Sequence, residues 1–247
     1  MIMRTSIDPT KTLSIVSECI SDLKAQGDPV RAREQKRYLK SPSCFYGVRK
    51  PLINQWALRI KRAEPKLSIN ELLAMCSDLW GSVNHDHKTL AIEVVKSYCQ
   101  FHDRSILPLV NRMIDESSGW DLIDNIAIWL VGGMLKNDPS LFDLIRPWSA
   151  DENLWRRRAA IISPIKLFKR NECPLDLYLE IWQEHLHEKE FFIRKAIGWV
   201  LRALSKHQPE TVVAFIQKNK NIMSGLTLRE GGRNLNTAQK TESGIQI

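Results

Sequence analysis

Trp120 and Asp124 stand four residues apart at the head of a strongly apolar run, Ile126 to Leu135, in a chain of 247 residues. On a helix that spacing stacks the indole and the carboxylate on one face. A second face of related composition lies downstream, where Lys195, Trp199 and Arg202 follow at spacings of four and three. Two tryptophans, one acid and flanking cations could therefore meet in one groove. Plainer readings stand beside this one. Either tryptophan also suits a core. Asp124 could complement the dipole of its own helix, a role that fits Asp121 better because it lies nearer the helix start. Arg158 reads equally as an exposed helix charge, and Tyr38 as a half-buried core aromatic with its hydroxyl at the surface.

The elements that carry these residues read as helices throughout. Apolar residues recur at helical spacing, and no stretch sustains strand alternation. Twelve helices are expected, near 12–25, 30–39, 52–62, 69–80, 87–101, 105–116, 120–135, 139–148, 153–168, 175–187, 190–205 and 209–219. Asp28-Pro29, Asp138-Pro139 and Ser68-x-x-Glu71 mark starts, and Gly27 and Gly81 lie where helices end. Trp155-x-x-Arg158-Ala159-Ala160-Ile161 is echoed by Phe192-x-x-Lys195-Ala196-Ile197, displaced by 37 residues. Such a period marks arrays of helical hairpins of the HEAT or armadillo kind, because one hairpin cannot bury its apolar stripe without a neighbour. The fold expected is an all-α solenoid with a concave groove, one domain over residues 1–235, followed by a polar, mobile tail over 236–247.

Composition narrows the function. The chain is 43% hydrophobic, enough for a substantial core. Its longest apolar runs are too short to cross a bilayer, and Arg4, Asp8 and Lys11 do not fit a signal pattern, so a cytoplasmic protein is expected. Five scattered cysteines form no Cys-x-x-Cys pair, which points to reduced thiols and no zinc site; no metal or cofactor is called for. His85-x-His87 and His185-x-His187 place neighbours on different sides of a helix, and read as solvated or loop histidines. The net charge is +8. From Asn153 to Lys206 eleven Lys or Arg stand against six acids, a region suited to phosphate.

Several motifs together closely resemble the AlkD-type DNA alkylation-repair glycosylases. They are Arg37-Tyr38-Leu39-Lys40, Phe45-Tyr46-Gly47-Val48-x-x-Pro51, Leu79-Trp80, Trp120-Asp121-x-x-Asp124, Asn153-x-Trp155-x-x-Arg158-Ala159-Ala160-Ile161, and the block from Glu190 to Arg202. The resemblance covers roughly residues 30 to 230. It implies a HEAT-like solenoid that cups duplex DNA and hydrolyses the N-glycosidic bond of cationic purines such as 3-methyladenine and 7-methylguanine; a monomer is expected. By position, Trp120, Asp124 and Trp199 match the family's active-site aromatic, acid and second aromatic, while Arg158, Arg202 and Tyr38 match groove residues that contact DNA or line the site. Lys195 joins the DNA-binding set from its place on the Trp199 face. Two departures stand out: Gly119, where the family often carries another tryptophan, and Gly231-Gly232, which interrupts the closing helix.

The implied chemistry suits these residues. An alkylated purine is already cationic and leaves as a neutral base, so a weak apparatus suffices. Asp124 would stabilise positive charge on the deoxyribose and orient a water, while Trp120 and Trp199 would face the cation and exclude bulk water. Arg158 and Arg202 would clamp phosphates. No lysine stands beside Asp124 in a pattern suited to a Schiff base, so a monofunctional enzyme is expected. The alternatives are a DNA-structure binder without catalysis and a protein-interaction scaffold.

Overall fold

Residues 9–245 are described by a computed structural model, and helices account for most of them. The reading of Arg4 and Asp8 lies outside the described residues. Among these residues there is no strand, only one isolated backbone bridge between Cys44 and Asn84. No helix among them is long and apolar enough to cross a membrane. The chain divides between Leu122 and Ile123 into two compact units.

The first unit contains α1 (Pro9–Ala25), α2 (Pro29–Leu39), α3 (Lys50–Ala63), α4 (Ile69–Trp80), α5 (His85–Ser97), α6 (Leu107–Asp115) and the first turn of α7 (Trp120–Asn125). α5 is the central element: Thr89 through Val95 are all buried, and the helix packs on both α3 and α4. α4 begins with the capping box that Ser68 and Glu71 spell in the sequence. α2 differs from the rest, because it has no buried residue. Its N-terminus is held instead by the Asp28 cap and by the loop at Gly47, whose positive φ of 80° brings the backbone against Asp28 and Ala32 where a side chain would collide. Asp86 fixes that loop by accepting the Tyr46 N–H at 2.7 Å, and burial pushes its carboxyl above the usual range.

The second unit continues α7 into a π-helical turn (Ile126–Val131) and α8 (Gly132–Asn137), then α9 (Ile145–Ser149), α10 (Leu154–Ile162), α11 (Leu175–Glu184), α12 (Phe191–Leu204), α13 (Pro209–Asn219), α14 (Gly225–Gly231) and α15 (Thr237–Ser243). α10 packs against α9, the π-helical turn and α12. α12 in turn packs closely on α14, and Gly198 permits this: a Cβ there would lie 2.6 Å from Glu230 Cβ and 3.1 Å from the Thr227 carbonyl.

A repeat period is written into the side-chain contacts of both units. Asp22 with Trp56 and Glu64 with Tyr98 are 34 residues apart, and Trp80 with Glu116 and His85 with Asp121 are 36 apart. In the second unit Asp124 with Arg158 and Arg158 with Phe192 are 34 apart, and Ser149 with His185 are 36 apart. Each links a residue to its counterpart in the adjoining hairpin, as stacked repeats require.

Several expected elements are corrected. The run 120–135 is not one α-helix but changes its winding at Ile126. Pro139 and Pro164, which lack an N–H, open 3-10 turns in stretches expected to be α-helical. The segment read as a polar tail contains α15, which starts with a capping box between Asn236 and Gln239 and stops at Gly244 with φ 74°. Ser243 is buried and Gln217 Nε2 donates to the Glu242 carbonyl at 2.8 Å. Gly231 and Gly232, read as an interruption, are contact points: the first abuts Leu201 and the second abuts Ile245.

Candidate active site and nucleic-acid interface

In the first unit the residues of interest gather around the head of α7. Trp120 is half-buried, and Tyr38 on α2 meets it edge-on with ring centroids 6.0 Å apart and planes at 85°. Tyr38 is 73% exposed, so it is a surface aromatic rather than a half-buried core one. Asp121, the next residue along, accepts from His85 Nε2 at 2.7 Å. A carboxylate only accepts, so this nitrogen carries the proton. The His85 ring stacks on Phe45 at 4.5 Å and its Nδ1 lies 3.4 Å from Thr89 Oγ1. The reading of His85 as a solvated or loop histidine is thus overturned: as the first residue of α5 it ties that helix to the residue beside Trp120. His87 is half-buried against the Tyr46 hydroxyl at 3.1 Å, and burial lowers its pKa. His185 is a core histidine of the second unit, its ring nitrogens 2.8 Å from the Ile181 carbonyl and 2.7 Å from that of Ser149.

In the second unit the central feature is an ion pair. Arg158 Nε and Nη2 donate to the two carboxylate oxygens of Asp124 at 2.7 and 2.9 Å, and Nη1 donates to the Phe192 carbonyl at 2.6 Å. The side chains are 4% and 13% exposed. A planar fork against a carboxylate is the strongest form of this contact. Arg158, read from the sequence as a phosphate contact, has its guanidinium buried and its donors turned inward. Arg158 instead fixes where the Asp124 carboxylate sits. The echoed motifs that suggested a repeat explain how: α10 and α12 lie side by side, with Trp155 and Phe192 rings 5.1 Å apart.

The other predicted residues of this unit have different environments. Arg202 is half-buried and bonded to Glu230 at 2.8 Å, so its charge is matched from α14. Lys195 is exposed, with its Nζ 5.7 Å from the centre of the exposed Phe191 ring. Trp199 is half-buried and forms one wall of an open cavity whose other walls are mostly cationic. Sequence reasoning missed His85, the Phe192 carbonyl and Glu230. The first two were marked by the period, since His85 precedes Asp121 by 36 residues and Phe192 follows Arg158 by 34.

Fold and geometry define an all-α helical-repeat protein with a carboxylate clamped inside its second unit. The model of the family described as DNA alkylation repair enzyme matches residues 19–235, and the chain belongs to that family. The fold is similar to that of a predicted DNA alkylation repair enzyme from Enterococcus faecalis, with a TM-score of 0.75 at 23% identity over 86% of this chain and 98% of that one. AlkD2 from Streptococcus mutans gives a TM-score of 0.59 at 17% identity, covering 77% of this chain and 92% of its own. The protein smu.31 from Streptococcus mutans UA159 gives 0.56 at 15%, covering 74% and 100%. No curated protein matches the chain.

Proposed function

We propose that this protein is a monofunctional DNA glycosylase that hydrolyses the N-glycosidic bond of purines made cationic by alkylation at N3 or N7 in duplex DNA. The observation that carries the proposal is the Asp124 carboxylate, gripped at both oxygens by Arg158 and set on the helix that opens with Trp120. A stabiliser of developing charge works best when its position is set before the reaction, so that no reorganisation is needed as charge appears. As the bond between sugar and base lengthens, its electron pair moves onto the ring and neutralises the base, while positive charge grows on the deoxyribose. Asp124 offsets that charge and orients the water that adds to the sugar carbon, and the proton this water gives up passes to solvent. Trp120 and Trp199 offer indole faces to the cation. None of the three is assigned as a proton donor to the departing base, so the reading restricts substrates to bases that leave without protonation. Tyr38 and Lys195, both exposed, are assigned to DNA contact; Arg202 contributes from beside its Glu230 partner.

The same ion pair favours a second reading, in which Asp124 and Arg158 only hold two repeats together and the protein binds DNA without cutting it. Release of free base from methylated duplex separates the two. Asp124→Asn should lower the rate by roughly 10² to 10³, the usual loss on removing one preorganised electrostatic stabiliser. Wild-type rates in a folded Asp124→Asn variant would take the carboxylate out of the mechanism.

A further inference from the structure

Two groups stand out among the basic residues of the second unit. Arg157, Arg158 and Arg202 are engaged by Glu188, Asp124 and Glu230, and Arg156 lies 3.4 Å from Asp151. These arginines hold the fold together. Lys166, Lys169, Lys206 and Arg233 are exposed, and among the described residues none of them makes an ion pair. Their positions in the sequence are scattered, yet all four line one open cavity of about 540 Å³. Three separate stretches deliver them: the 3-10 turns after α10, the turn that follows α12, and the 3-10 turn after α14.

We propose that this cavity is the phosphate grip of the protein, taking the phosphodiester backbone of DNA, with Lys166, Lys169, Lys206 and Arg233 as its cations and Trp199 as its apolar wall. Four cations converging without counter-charges repel one another, and an anion between them relieves that cost. A cavity of this volume exceeds the needs of a single small anion and suits a stretch of backbone with its sugar. Two fixtures shape the cavity. Lys166 Nζ is held 4.1 Å from the centre of the exposed Trp129 ring, and Arg202 is held by Glu230 while Asn234 Nδ2 donates to the Arg202 carbonyl at 3.0 Å. Cations interleaved with an aromatic are the pattern by which proteins track a nucleic-acid backbone without reading sequence. The inference rests on the glycosylase reading for its choice of DNA. It moves the phosphate contacts away from Arg158 and onto residues that the repeat pattern did not single out.

The test is the salt dependence of binding to undamaged duplex DNA, which requires no catalysis. Lys169→Gln, Lys206→Gln and Arg233→Gln should each reduce the slope of log affinity against log salt by about 0.9, and the triple variant by nearly three times that, measured from about 50 to about 200 mM salt. Lys218→Gln, an exposed cation on α13 outside the cavity, should leave the slope unchanged. All replaced residues are exposed, and circular dichroism verifies the fold of each variant. Wild-type slopes in the triple variant would overturn the proposal. So would inorganic phosphate that binds the wild type and not the triple variant while their DNA slopes agree, since the site would then serve a small free anion. Base release measured on the same preparations keeps the two claims apart: altered slopes without release by the wild type would sink the glycosylase reading alone, and release with unaltered slopes would sink only the phosphate grip.

Discussion

Replacing Arg158 by alanine separates a buried positioning role from a surface phosphate contact. The change removes two hydrogen bonds to Asp124 and one to the Phe192 carbonyl, leaving a carboxylate only 13% exposed without its guanidinium. Breaking a buried pair from one side costs about 3–5 kcal/mol, most of it the desolvation of the charge left behind. Solvent screening reduces this little at such burial. For a chain of this size each kcal/mol lowers Tm by about 2–4 °C, so a fall of roughly 6–20 °C is expected in thermal unfolding followed by circular dichroism. Asp124→Leu with Arg158→Met in one protein should recover more than half of the loss, because an apolar pair replaces the ion pair without leaving a charge. It should not recover base release. The salt slope of DNA binding should match that of the wild type in Arg158→Ala. An unchanged Tm together with a slope shallower by about one unit would show that Arg158 faces phosphate and that the geometric argument is wrong.

Three further outcomes follow from named contacts. Gly198→Ala should cost about 1–3 kcal/mol, since the added methyl collides with Glu230 and Thr227 and must push α14 away; denaturant unfolding would detect it, and an unaffected midpoint would contradict the close packing. His85→Ala should lower base release more than DNA affinity, because it removes one hydrogen-bond partner of Asp121 beside Trp120 without removing a surface cation; equal losses in both would argue against a positioning role. His87 and His102 both have pKa values lowered by burial, so the folded state disfavours their protonation. Their stabilising contribution is full above the ordinary histidine value of 6.5 and is lost as pH falls through the lowered values. Stability curves should therefore drop on the acid side of that value, less so in His102→Gln, and identical acid profiles would refute the assignment.

Much of the fold is legible in the sequence, where helical periodicity and caps coincide. Ile69–Trp80 and Pro209–Asn219 have the boundaries expected from the sequence, the first marked by Ser68 and Gly81. α14 and α15 escape a periodicity reading because they are short and polar or glycine-rich. Their order comes from tertiary contact, through the Gly198 notch and the seat of Ile245 on Gly232. The candidate site shows the same division. The spacing from Trp120 to Asp124 reads directly from a helix, whereas the burial of Arg158 depends on a partner 34 residues away. Local pattern treats any arginine as an exposed charge; only the repeat period, applied from one hairpin to the next, brings Arg158 inward to Asp124 and His85 to Asp121. Likewise a count of charge shows a basic region but not which cations are already matched by acids.

The central claim is that Asp124, fixed by Arg158, stabilises a sugar cation as an already cationic base departs. It is tested most directly by single-turnover reactions on otherwise identical duplexes carrying 7-methylguanine or hypoxanthine, with free base measured in both. Rapid release of 7-methylguanine, slowed roughly 10² to 10³ in Asp124→Asn, with hypoxanthine retained, is the predicted result. Comparable release of both bases would reveal a proton donor that this account does not contain, and release of neither would leave a protein that binds DNA without cleaving it.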